Sequence, residues 1–405
     1  MPAGIQPVPS DSPTGQQKKG SPSSVAMLPF ARASKLHIEQ SNVQTLVPSA
    51  AQQTFNFPIA SYGYLSAILV TVVATGGTGA AAVYFEDAPW SVFSQVQLSD
   101  VNGVPISQLS GYNAYLAAKY GGYRLYPPDG YGSANSTFGT ATTNNNISEQ
   151  NLFVYSTPST GNFKFILPIF LEFGLDGMGS LPNMDASARY NLQLTVSGFS
   201  TASATGPVFT TVPTSGPTLV TLTVEILARS QPPAQDMFGN MNSTSPPAVG
   251  TVQYWTAQTA SGLANGANTI QLTRVGNLIR NHIFVFRNTN GTRLTAEGAD
   301  VPSLFEFDWD VGQRFVANTT TLRYVFGYSV YGFEVPNGVI VLPDTLDPDW
   351  TALAEFGDQW LGTVGATKFT LRFTTTAGSG SVTILTNDIV PASGQVYQAP
   401  ALMTM

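Results

Sequence analysis

The stretch LSAILVTVVATGGTGAAAVYF, Leu65 to Phe85, has two readings that lead to different proteins. It carries no charge and is long enough to cross a bilayer as a helix. Against that, Thr75-Gly76-Gly77-Thr78-Gly79 interrupts it, and β-branched residues dominate its first half. Glycine weakens helices, and β-branched side chains suit a pleated strand. Two buried strands joined by a glycine-rich turn account for it better than a membrane helix.

The next stretch, QLSDVNGVPISQL (Gln97–Leu109), poses a similar choice. Asp100-Val101-Asn102-Gly103 could open a calcium loop or form a turn. An EF-hand needs oxygen ligands at spaced positions and a glutamate at position twelve. Here Val104, Pro105 and Gly111 fall where ligands or the turn glycine should be, so no cage can be built. Asn102-Gly103 is a favoured pair for a tight hairpin, because both residues tolerate positive φ.

The same strand-and-turn pattern continues in both directions. Leu65–Ala74, Val92–Leu98, Leu152–Tyr155, Phe163–Phe170, Tyr190–Val196 and Leu219–Leu227 make one set of short apolar runs. Thr251–Trp255, Ile270–Thr273, His282–Phe286, Leu304–Trp309, Val339–Leu342, Phe369–Phe373 and Val382–Leu385 make a second. Within them residues alternate. Phe163, Phe165, Leu167 and Ile169 share one face of a strand, as do Leu192, Leu194 and Val196. Between the sets, QPPAQDMFGNMNSTSPPAVG (Gln231–Gly250) reads as a linker or a long excursion at a domain boundary. SGYNAYLAAKYGG (Ser110–Gly122) has a serine cap, helix formers and a Gly-Gly stop, which predicts a helix. Arg314–Gly332 is a second, weaker helical candidate. The expected fold is all-β, two tandem eight-stranded jelly rolls with few short helices, over residues 41–235 and 236–390. Residues 1–40 are expected to form an N-terminal arm and 391–405 a C-terminal tail.

The arm is rich in Pro, Ser and Gly to Ser24 and carries no apolar core of a signal peptide. Val25–Gln40 turns mildly amphipathic and suits a short helix. Lys18, Lys19, Arg32 and Lys35 face Asp11 and Glu39, so the arm is locally basic on a chain of net charge −7. That suits a segment that ties subunits together or touches an anionic membrane. Charged residues are only 10% of the 405, against about 25% in an average soluble protein. Such a surface, covered by Thr, Ser, Asn, Gln and Gly, suits packing against copies of itself. Scattered basic residues give no footprint for direct nucleic-acid binding. The absence of cysteine excludes disulfides and thiolate chemistry.

The remaining candidates for chemistry are few. Glu306, Asp308 and Asp310 in FEFDWDV could hold a cation or form a general acid/base pair, Glu306 with Asp308. Alternation alone also explains them, with Phe305, Phe307 and Trp309 turned to the core. Asp344, Asp347 and Asp349 could ligate calcium or sit in a proline-rich turn. His37 and His282 are the only histidines, and His282 suits a packed or strand-edge position. No nucleophile elbow, Walker loop or dinucleotide fingerprint occurs. Trp90, Trp255, Trp309, Trp350 and Trp360 could form sugar platforms, Trp309 with Asp308 or Asp310, but such residues more often anchor cores and interfaces. No catalytic, cofactor or metal residue is assigned.

The order of elements resembles the double jelly-roll major capsid proteins of tectivirus-like, internal-membrane-containing bacteriophages. The residues that carry the likeness are QTFNF (Gln53–Phe57), YLSAILVTVVAT, FEDAPWSVFSQVQLSDVNG, the helix SGYNAYLAAKYGG, NFKFILPIFL, LDGMGSLPNMDASAR, YNLQLTVSG and TLTVEILARSQPPAQDM. The resemblance implies a trimeric, pseudo-hexagonal capsomer tiling an icosahedral shell assembled in the host cytoplasm. It implies neighbouring capsomers, minor capsid and vertex proteins as partners, and an internal membrane facing the arm. It implies no cofactor and no reaction. A carbohydrate-binding β-sandwich surface protein is the alternative, and a glycoside hydrolase using Glu306 and Asp308 a third reading.

Overall fold

The computed structural model describes residues 27–78, 83–123, 155–157, 161–198, 208–211, 213, 215–293, 302–309, 313–322, 335–343, 360–363, 366–376 and 380–390. In chain order the strands of the first half are β1 (Leu36–Leu46), β2 (Gln53–Pro58), β3 (Tyr64–Thr75), β4 (Val83–Tyr84), β5 (Phe93–Ser99), β6 (Pro105–Leu109), β7 (Tyr155–Thr157), β8 (Asn162–Phe170), β9 (Leu181–Pro182), β10 (Asn191–Val196), β11 (Phe209–Thr211) and β12 (Leu219–Arg229). The second half adds β13 (Val252–Ser261), β14 (Gly266–Gln271), β15 (Leu278–Arg287), β16 (Leu304–Trp309), β17 (Gln313–Asn318), β18 (Val339–Pro343), β19 (Leu361–Gly362), β20 (Phe369–Thr375) and β21 (Ser381–Val390). The helices are α1 (Phe30–Ala33), α2 (Gly111–Tyr120) and α3 (Thr319–Leu322).

Leu65–Phe85 is strand, not membrane helix: β3 and β4 sit at its two ends, and Gly76 takes a positive φ of 84°. β3 is the middle of a six-stranded sheet of order β1-β12-β3-β8-β7, with β9 also pairing β3. Its inward residues Ile68, Val70 and Val72 face Phe93, Leu98, Leu192 and Leu194 of the opposing sheet. That opposing sheet, β6-β5-β10-β2, continues without a break into the second roll as β13-β21-β15-β18. A single parallel pair, Trp255 with Ser107, makes the join. The second roll closes with the four-stranded sheet β14-β20-β16-β17. Its core is largely phenylalanine: Phe284, Phe286, Phe305, Phe307, Phe369 and Phe373 interlock with ring centroids 5.6–6.0 Å apart. This is two sheet sandwiches joined edge to edge. The phenylalanine-bearing core fills the second sandwich, while the core of the first runs on across the join to Ile283, Val285, Val339, Val341 and Leu385 on the opposite face of β15, β18 and β21.

α2 forms where its cap and composition predict. The Ser110 hydroxyl accepts the Asn113 amide at 3.3 Å, and every residue of the helix is buried. Its first residue must be glycine, because a Cβ at Gly111 would stand 2.0 Å from the Trp90 carbonyl. Trp90 in turn stacks on Tyr115 at 3.8 Å.

Three expectations need correction. The short helix expected within Val25–Gln40 is present as α1, but β1 begins at Leu36, inside the stretch expected to be arm. There the chain gains more from pairing with β12 than from a helix with no partner for its apolar side. Arg314–Gly332 begins in β17, which pairs with β16, and as far as Leu322 its helix is only the single turn α3. The Asp100 turn is also longer than a two-residue hairpin. The Asp100 carboxylate accepts the Asn102 and Val104 amides at 2.8 and 2.7 Å, and Gly103 alone takes positive φ. The acid is spent on backbone, which is why it is there.

Candidate functional site at the seam between the rolls

The two rolls meet along β13, β15 and β21 on one side and the end of α2 with the end of β8 on the other. Tyr120 to Tyr123 leave α2 as a tight exit, and Phe170 to Phe173 leave β8 beside it. Their backbone carbonyls point at the second roll, and polar side chains from its strands meet them. Gln253 donates from Nε2 to the Phe170 and Leu171 carbonyls at 2.8 and 2.9 Å. Its Oε1 accepts from the Tyr123 hydroxyl at 2.9 Å and from Asn387 Nδ2 at 3.1 Å. Trp255 Nε1 donates to the same Tyr123 hydroxyl at 2.6 Å. Burial pushes the Tyr123 hydroxyl above its ordinary pKa, which keeps it protonated as a donor.

Arg280 extends this network. Its guanidinium donates to Asn387 Oδ1 at 2.9 Å and reaches the Gly121 carbonyl at 3.3 Å. It also lies over the Phe173 ring at 4.9 Å. Asn281 donates to the Tyr120 carbonyl at 2.5 Å. Arg280, Asn281 and Asn387 are each 2% exposed or less. An apolar collar of Ala67, Phe170, Phe173, Leu278, Trp360 and Ile389 surrounds them. Inside such a collar each bond is strong and each missing bond is costly.

A second clasp lies where β4 runs toward Trp90. Asp87 takes Arg293 Nε at 2.8 Å and Arg287 Nη2 at 2.5 Å, both from the second roll. Glu86 accepts the Arg293 backbone amide, and its carbonyl takes Arg293 Nη2 at 3.0 Å. Both guanidiniums also lie over the Tyr112 ring of α2, at 5.0 and 5.7 Å. Arg293 is 3% and Asp87 4% exposed. Desolvation pushes the Glu86 carboxyl up, with Arg293 opposing it. A groove of about 540 Å³ opens where β6 and β13 diverge, lined by Gln95, Gln108, Ser110, Trp255 and Thr256 among others. Among the described residues its polar lining is amide and hydroxyl side chains.

The residues singled out by sequence fall elsewhere. Glu306 and Asp308 do share one face of β16, with Phe305 and Phe307 buried behind them. Both pair with Arg372 of β20, at 3.5 and 2.8 Å, so they form a surface ion-pair ladder. Asp310, Asp344, Asp347, Asp349 and Trp350 lie outside the described residues, as do Lys18 and Lys19. His282 is buried among Phe284, Phe307 and Phe369. His37 stacks on Tyr62 at 4.1 Å, beside Glu39. Trp90, Trp255 and Trp360 are 1–6% exposed and serve packing. Among the described residues no group of three His, Asp or Glu converges as a metal site would require. No described helix is long and apolar enough to cross a membrane. Of the seam residues, only Trp255 was singled out from the sequence, as a core or interface anchor or a sugar platform. Their signal was a polar pair inside an apolar strand, Arg280-Asn281 in LIRNHIFVF and Asn387-Asp388 in TILTNDIV.

No protein-family model matches the chain, and no curated protein matches it by sequence. Solved structures do match. The major capsid protein of Sulfolobus turreted icosahedral virus is similar at a TM-score of 0.58 and 12% identity, over 88% of this chain and 97% of that one. The capsid of the virus PBCV-1 gives 0.57 at 12% identity, over 89% and 95%. The major capsid protein of bacteriophage PM2 gives 0.50 at 11% identity, over 89% and 100%. The fold is the double jelly roll of these viral capsid proteins.

Proposed function

We propose that this chain is a structural coat protein whose work is done by burial at subunit contacts. The observation that carries this reading is the double roll welded into one block, matched over nearly the full length of viral capsid chains. A tile needs a fixed angle between its halves. The shared sheet, the Arg280 network and the Asp87 clasp supply one. In this reading three copies form a pseudo-hexagonal capsomer of an icosahedral shell, closed by repeated use of the same patches. Neighbouring capsomers, minor capsid and vertex proteins are its partners, and the basic arm faces an internal membrane. It carries out no reaction.

The carbohydrate-binding alternative needs exposed aromatic platforms; Trp90, Trp255 and Trp360 are buried, and the side chains of Trp309 and Trp350 lie outside what the structure describes. Light scattering of the purified chain at several concentrations tests the reading. The expected mass is three times 43.0 kDa, stable to dilution. A monomer at every concentration would sink it.

A further inference from the structure

Three turns in this protein share one construction. Asp100-Val101-Asn102-Gly103, Asp236-Met237-Phe238-Gly239 and Asn288-Thr289-Asn290-Gly291 each begin with a side-chain oxygen that accepts two amides, two and four residues on. Each ends in a glycine with φ of 80–83°. The construction sets no requirement on the two residues between. Two of the turns place Val-Asn and Thr-Asn there. The third places Met237 and Phe238, which are 88% and 82% exposed. Nothing in the fold accounts for two large apolar side chains at that tip.

The tip is held rigidly. Asp236 also accepts Asn240 Nδ2 at 2.8 Å, and its backbone amide bonds the Asn240 carbonyl at 3.0 Å. A Cβ built at Gly239 would meet nothing within 4 Å, so the turn stands clear of the body. Its root is stitched to the chain's early segment: Leu28 donates to the Met241 carbonyl and its own carbonyl takes the Ser243 amide, both at 2.9 Å. That pairing sets Met27 (55% exposed) and Met241 (37%) beside it. Lys35 is tied to Ser230 at the base of the same linker, and Lys35 and Arg32 are exposed. The described acids of this neighbourhood are Glu39, Asp176 and Asp236; Asp176 accepts the Phe30 and Ala31 amides, and Asp236 is engaged in its own turn.

Size and shape choose the occupant. The four apolar residues together offer about 500 Å² at about 200 Å² per large side chain. A stable protein interface needs about 800 Å² from each partner. A protruding tip also needs a matching hollow in a protein partner. A lipid surface needs none, and it rewards an apolar tip with basic residues beside it.

We propose that the Met237–Phe238 tip, with Met27 and Met241, inserts into an anionic lipid surface while Arg32 and Lys35 hold the headgroups. This deepens the membrane contact proposed above and rests on that reading. It moves the anchor from the arm alone to the linker between the rolls.

The test is flotation of the full chain with vesicles of phosphatidylglycerol mixed with phosphatidylcholine, alongside its mass by light scattering. Met237→Ser with Phe238→Ser leaves Asp236, Gly239 and Asn240 to keep the turn. The expected result is vesicle binding weakened about tenfold or more, as loss of two buried apolar side chains implies. The oligomer mass should not change. Val101→Ser, on the matching turn, should bind as the unaltered chain does. No flotation of the unaltered chain with anionic vesicles would overturn the anchor, whatever its mass. So would undiminished flotation of the double variant. Loss of oligomer mass with flotation unchanged would instead seat the tip on a second copy. A monomeric unaltered chain that still floats through the tip would sink the coat reading and leave the lipid contact standing.

Discussion

The core of the second roll and the seam between the rolls are both buried, and they are built on opposite rules. The core is a lattice of rings from β15, β16 and β20, placed by strand alternation. The seam is a lattice of hydrogen bonds in which Arg280, Asn387, Gln253 and Tyr123 satisfy one another. The core tolerates substitution to the extent that its volume is kept. The seam tolerates it only if every partner stays satisfied. Apolar packing stabilises each roll and also crosses the join, through Trp255, Ile283, Val285 and Leu385, while the polar network adds the directional bonds that fix the angle between the rolls.

That comparison can be broken in order of expected effect. Asp87→Ala should cost about 3–5 kcal/mol, because it leaves the buried Arg293 guanidinium without its carboxylate and takes the nearer of two acids from the half-buried Arg287. Phe284→Ala should cost a similar amount, about 3–5 kcal/mol, through the cavity it leaves. The two should differ in kind. In denaturant melts, Asp87→Ala should uncouple the rolls into two transitions, and Phe284→Ala should keep one. A single unchanged transition for Asp87→Ala would remove the distinction. Gln253→Leu comes next, at about 1–3 kcal/mol, since it takes the acceptor from the Tyr123 hydroxyl proton and the side-chain donor from the Phe170 and Leu171 carbonyls.

Glu86 supplies a pH test. Its folded pKa is raised above 4.5 by desolvation, so the folded state holds that proton more tightly than the unfolded chain does. Its contribution to stability is therefore greatest below 4.5 and declines as pH rises through the folded value. Glu86→Gln should flatten this part of a stability-against-pH curve, and an unchanged slope would assign it to other groups. Smallest of all is Arg372→Ala. It breaks the ladder with Glu306 and Asp308, but Arg372 is 42% exposed on its side chain, and the expected cost is about 0–1 kcal/mol. A loss as large as that of Asp87→Ala would mean that burial does not separate the two kinds of ion pair.

Much of the fold was legible because alternation is a local signal. Phe305-Glu306-Phe307-Asp308 announces a strand with one face buried, and the structure places those residues so. Ser110 and the Gly-Gly pair after Tyr120 mark α2 in the same local way. What misled the reading was context. Leu36–Gln40 looks like arm until β12 is beside it, and Arg314–Asn318 looks helical until β16 is. The Asp100 turn was recognised, but the amides its carboxylate accepts were not, since one oxygen serving two amides leaves no pattern beyond an aspartate before a glycine.

The sequence by itself determined the class of fold, its two sets of strands, the faces they bury and the absence of thiol chemistry. Period-two alternation needs only the neighbours along a strand to be read. Only the tertiary structure decided how the halves are joined. The partners at the seam lie 107 positions apart for Arg280 and Asn387, and 206 for Arg293 and Asp87. Nothing local distinguishes a polar residue that faces water from one that crosses between two rolls. The same holds at the surface, where the order of residues gives Met237 and Phe238 a turn, and only the folded chain leaves both in the open.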